Sequence, residues 1–68
     1  MLATEAGQKI RIARIKKGLT QTELAARLKV NQSTVGCWEI GMNFPKAKNL
    51  RKLADTLDLS IDDLMKVV

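Results

Sequence analysis

The chain has no histidine, and a single cysteine, a single proline and two aromatic residues among its 68 residues. Without histidine, the commonest general base and a leading metal ligand are missing, and no Ser, Cys or Lys stands beside an evident base. Catalysis therefore finds little support, and a zinc centre has too few ligands. The lone Cys37 excludes an intramolecular disulfide framework and fits a reducing, cytoplasmic setting. Few aromatics argue against a β-rich domain, while 46% apolar residues suffice for a helical core. No apolar run is long enough to span a membrane, and Met1 to Ala6 lacks the basic-then-apolar order of a signal peptide. Asp58-x-Ser60-x-Asp62 resembles the start of a calcium loop but lacks the mid-loop glycine and closing glutamate.

Acidic residues are also few, and they are unevenly placed. The net charge is +5, but residues 1–52 carry +8 and residues 53–68 carry −3. A strongly basic body with an acidic end points to a polyanionic partner. A charged surface that merely keeps a small protein dispersed is the plainer alternative.

What is present reads as five helices in one all-α domain covering residues 1–68, with no repeat or linker. The stretch Gln21 to Ile40 is the most informative. Thr20 and Glu23 form a T-x-x-E capping box that starts a helix at Gln21, and Leu24, Ala25 and Leu28 give it an apolar face. Asn31 is placed to cap a further helix with Val35 and Trp38 on its inner side, Trp38 being core rather than a stacking platform. Only Lys29, Val30 and Asn31 separate the two, which predicts a helix-turn-helix corner. Before it, a helix from about Thr4 to Lys17 offers Ala6, Ile10 and Ala13 as a stripe, widened by Ile12 and Ile15, and ends at Gly18. After it, Gly41 ends the third helix, and Pro45 fixes a short loop. A fourth helix spans Ala47 to Leu57, and Ser60 caps a fifth whose first turn holds Asp62 and Asp63.

These pieces resemble the compact five-helix domains of the phage repressor, Cro and XRE type. The resemblance rests on Arg14 four residues before Gly18, the segment GLTQTELAARLKV, and the W-E-x-G-x-x-x-P run from Trp38 to Pro45. The Leu50/Leu53-Ala54/Leu57 helix and the closing S-x-D-x-L of Ser60 to Leu64 complete it. It covers about Ile10 to Met65. Two positions depart from the family pattern: Lys29 stands where the corner usually has glycine, and Lys46 where a Ser or Asp would cap the fourth helix.

The resemblance implies a sequence-specific regulator of transcription, expected to repress, that lays its third helix in the DNA major groove. Helical geometry then makes Gln32, Ser33, Gly36 and Cys37 the outward set. Gln32 can bond adenine N6 and N7 together, and Ser33 can meet either base or phosphate. Gly36 permits close backbone approach, and Cys37 is either a thymine-methyl contact or an inert small residue. Phosphate contacts are expected from Gln21, Asn31, Asn43, Lys46 and Lys48, with Lys9 and Arg11 less clearly placed. Arg14 and Glu39 are implied to form an internal ion pair. No cofactor, metal or small-molecule ligand is expected. A two-fold operator with half-sites ~34 Å apart implies a homodimer, paired through Leu57 to Val68. The rival is a protein-binding module of the same fold, such as an antitoxin or adaptor.

Overall fold

A computed structural model describes the chain from residue 2 to residue 65, with side chains from Glu5 onward. It holds five helices: α1 Leu2–Lys16, α2 Gln21–Leu28, α3 Gln32–Ile40, α4 Ala47–Leu57 and α5 Ile61–Met65. The fold class is all-α, as the periodicity predicts. Helix α1 lies closest to α3, α2 and α3 form the corner, α4 crosses both α1 and α2, and α5 closes against α1 and α4. No helix among the described residues is long and apolar enough to cross a membrane.

Each of the first four helices ends in the same way. A residue in the left-handed region turns the chain, and the next N–H bonds back to a carbonyl five residues earlier. The turning residues are Gly18 (φ 72°), Lys29 (59°), Gly41 (82°) and Asp58 (55°). The bonds back are Leu19 to Arg14, Val30 to Ala25, Met42 to Cys37 and Leu59 to Ala54, all 2.9–3.1 Å. Leu19, Val30 and Leu59 then fold onto the core, as the motif favours. The departure at Lys29 therefore leaves the geometry of the corner intact. An L-residue bears that conformation at a cost of ~1 kcal/mol.

The core joins Ile10, Ala13, Leu24, Ala25, Leu28, Val35, Trp38, Leu50, Leu53, Leu57 and Leu64. Leu24, Val35 and Leu53, one from each of three helices, are fully shielded from solvent. Ala6, on α1, is also buried. Two expectations for α1 fail. It begins at Leu2 rather than near Thr4, and Ile12 and Ile15 do not widen the buried stripe: they are 54% and 56% exposed. The reason lies in what α1 faces. It meets α3 through the side that carries Gly7, where a Cβ would stand 2.3 Å from the Trp38 carbonyl oxygen. Ile12 and Ile15 lie about 200° and about 140° around the helix from Ile10, away from that side.

Candidate nucleic-acid interface

The capping box that starts α2 is complete. Glu23 N–H donates to Thr20 Oγ1 at 3.0 Å, and Thr20 N–H donates to Glu23 Oε1 at 2.8 Å. The Thr20 backbone N–H, with its hydroxyl, holds the exposed Glu23 carboxyl below the usual carboxylate range. The next two helix starts are different. Asn31 occupies the N-cap position of α3 and Lys46 that of α4, and neither side chain makes a capping hydrogen bond. For Asn31 this corrects the expectation of a side-chain cap. The first amides of α3 and α4 thus keep their donors for an outside acceptor.

From the buried interior to the outward side of α3 runs one continuous chain of hydrogen bonds. Arg14 Nε and Nη2 both donate to Glu39, at 2.6 and 3.2 Å, and Arg14 Nη1 donates to the Leu19 carbonyl at 2.7 Å. Glu39 is buried, its side chain only 3% exposed, so this is a two-pronged ion pair largely out of water. Gln21 Nε2 donates to the same carboxylate at 3.0 Å, and Gln32 Nε2 donates to Gln21 Oε1 at 2.6 Å. Each amide keeps unused capacity. Gln21 has one N–H left, and Gln32 has its other N–H together with Oε1, the pair that adenine recognition needs. The ion pair thus anchors α3 to α1 and, through Gln21, aims Gln32.

Around α3, Val35, Trp38 and Glu39 point inward, while Gln32 and Ser33 are exposed and Gly36 and Cys37 half-buried. Cys37 is a free thiol. Nothing internal requires glycine at position 36: an added Cβ would meet only the Gln21 and Gln32 amides at ordinary contact distances of 3.7–3.9 Å. Ile40 shares this face, seven residues on from Ser33 and three from Cys37, and is 66% exposed. The sequence reading passed over Ile40, although helical arithmetic alone places it with Ser33 and Cys37.

Between the start of α3 and the α3–α4 loop lies a cleft of about 760 Å³. Asn31, Asn43 and Lys46 line it, as does Thr34, which the sequence reading did not single out. Lys48 is exposed on α4 but lies outside the cleft lining. Lys9 is tied to α5, its Nζ donating to the Asp63 carbonyl at 2.7 Å, and Lys17 pairs with Asp58. Arg11 is exposed. Among the described residues no cluster of His, Cys, Asp or Glu is grouped to hold a metal.

A short α2–α3 corner, an outward helix locked to an internal ion pair and donor-rich flanks define a helix-turn-helix domain. The chain matches the helix-turn-helix family over residues 10–64 and belongs to it, within the XRE type that includes the phage repressors. Its backbone is similar to that of the P22 c2 repressor, solved in complex with a synthetic operator. The TM-score is 0.86 at 31% identity, over 90% of this chain and 92% of that one. In sequence it is 31% identical over 61 residues to the HTH-type transcriptional activator BcrR of Enterococcus faecalis. It is 35% identical over 60 residues to YonR of Bacillus subtilis (strain 168), a prophage-derived HTH-type transcriptional regulator. Those alignments cover 90% and 88% of this chain but only 30% and 56% of the two relatives.

Proposed function

We propose that residues 1–68 act as one sequence-specific DNA-binding domain of a transcriptional regulator, with α3 in the major groove. The observation that carries this reading is the relay from Arg14 through Glu39 and Gln21 to Gln32, which holds an amide outward with its bidentate pair unspent. Gln32, Ser33, Gly36 and Cys37 meet base edges, and Gln21, Asn31, Asn43, Lys46 and Lys48 meet phosphates. The family membership and the regulators it resembles favour this reading over a protein-binding module. No enzymatic step, cofactor or small-molecule ligand is part of it, and the setting is the cytoplasm of a bacterium, with the gene bacterial or phage-borne. The output is repression by occupancy, so transcription from a promoter carrying the bound site falls when the chain is expressed.

Selection of sites from random duplexes, followed by binding across a salt series, tests the reading. Log affinity is expected to fall linearly with log salt. Gln32→Ala is expected to relax preference at one base pair by ~1–3 kcal/mol, whereas Lys46→Ala weakens all duplexes alike. Flat salt dependence, or uniform loss in both variants, would overturn it. The domain acts as a homodimer on a two-fold site, with half-sites ~34 Å apart. Support comes from Ile61 and Met65, four apart on α5 and 36% and 54% exposed. Val67 and Val68, the rest of the expected pairing surface, lie outside the described residues.

A further inference from the structure

The fold needs a left-handed residue at position 29 to end α2, but nothing in it needs a lysine there. Lys29 holds a left-handed backbone (φ 59°, ψ 44°) that glycine would adopt without strain. The bonds that close α2 there use its backbone N–H, to the Ala25 and Ala26 carbonyls, and make no use of the side chain. Its ammonium group has no acceptor among the described residues, whereas Lys9 and Lys17 are held by Asp63 and Asp58.

The side chain instead lines the 760 Å³ cleft, where it joins Asn31, Thr34, Asn43, Lys46 and Asn49. Two ammonium groups, three amides and a hydroxyl line this space beside the apolar Val30, Trp38 and Phe44, and no carboxylate does. The open amides of α3 and α4 begin on the same two sides, at Asn31 and Lys46. Such a lining offers positive charge and donors with nothing internal to satisfy them, which suits a phosphodiester. We propose that the backbone phosphate assigned above to Asn31, Asn43 and Lys46 sits in this cleft and is also held by Lys29. Lys29, at the corner, is one of the two ammonium groups that hold it, and Lys46 is the other. This rests on the DNA-binding reading and adds a residue to it: Lys29 positions the domain on the backbone and reads no base. The strained corner is kept for its charge.

Lys29→Gly separates folding from binding, because it removes the strain and the charge together. The variant is expected to melt higher than wild type, by roughly 4–8 °C for a domain of this size. It should still bind its duplex more weakly, by about eightfold at 0.1 M salt for one lost phosphate contact. The slope of log affinity against log salt falls by about one per bound protomer, and the ranking of duplex sequences is unchanged. Lys29→Ala is expected to match this binding loss without the gain in melting temperature. Wild-type affinity and slope in both variants would overturn the inference while leaving the domain a DNA binder. A changed preference at one base pair would also overturn it, since Lys29 would then read sequence. If wild type itself binds no duplex at low salt, the parent reading falls instead, and that is seen before any variant is made.

Discussion

At the scale of single residues, the molecule's decisive group is Glu39, a carboxylate buried beside Arg14 and Gln21. Removing one partner of such a pair leaves a charge without compensation, typically a loss of ~3–5 kcal/mol. That rivals the whole stability of a domain this small, about 3–10 kcal/mol. Arg14→Ala is therefore expected to lose ~3–5 kcal/mol of stability, measured by urea titration. A loss below ~1 kcal/mol would mark an ordinary exposed pair. Gly36 offers the opposite test. The space around it admits a methyl group, so Gly36→Ala is expected to stabilise α3 by ~1 kcal/mol in thermal melts. Duplex binding should nonetheless weaken if Gly36 belongs to the proposed base-contacting set, since the added Cβ would then meet a base edge. Unchanged affinity would remove Gly36 from the contact set.

At the scale of elements, most helix ends were legible, but the start of α1 and its outer face were not. The T-x-x-E box, Gly18, Gly41 and the 47–57 spacing each act within a few residues, so they locate α2, α3 and α4 without knowledge of the fold. The box also ties stability to pH. Because Glu23 is held below its ordinary pKa, its contribution is complete above the usual carboxylate range. That contribution is lost as pH falls through the lowered value. A carboxyl titration followed by NMR should give Glu23 a lower midpoint in the wild type than in a Thr20→Ala variant. The reading of α1 failed at Ile12 and Ile15 because neither lies on the stripe: they stand about 200° and about 140° around the helix from Ile10. Gly7 sets how closely α1 approaches α3. Gly7→Ala would drive a Cβ into the Trp38 and Glu39 carbonyl oxygens, 2.3 and 2.6 Å away. Despite alanine's better helix propensity, a net loss of ~1–3 kcal/mol is expected in chemical denaturation.

At the scale of the whole molecule, the uneven charge acquires a geometry. The acidic end is used internally in part, through the Asp58 carboxylate with Lys17, and α5 also takes Lys9 on the Asp63 main-chain carbonyl. The only charged residues lining the cleft near α3 are Lys29 and Lys46, both basic, whereas α5 packs against α1 and α4. Dimerisation belongs to this scale too. Replacing both Ile61 and Met65 with lysine is expected to leave the buried Leu64 and the fold in place while shifting sedimentation toward monomer. Operator affinity should fall with it; a dimer that persists would place the pairing surface elsewhere.

Local chemistry was enough to establish five helices, the α2–α3 corner and the helix-turn-helix class. Caps, left-handed terminators and apolar spacing all operate between near neighbours in the chain. The expectation that Arg14 faces Glu39 came from family resemblance rather than from spacing. That Gln21 links their ion pair to Gln32, that α1 and α3 approach closely at Gly7, and that Lys29 shares a cleft with Lys46 were decided by packing. Each depends on residues far apart in sequence meeting at distances set by the whole core, above all by the seam between α1 and α3.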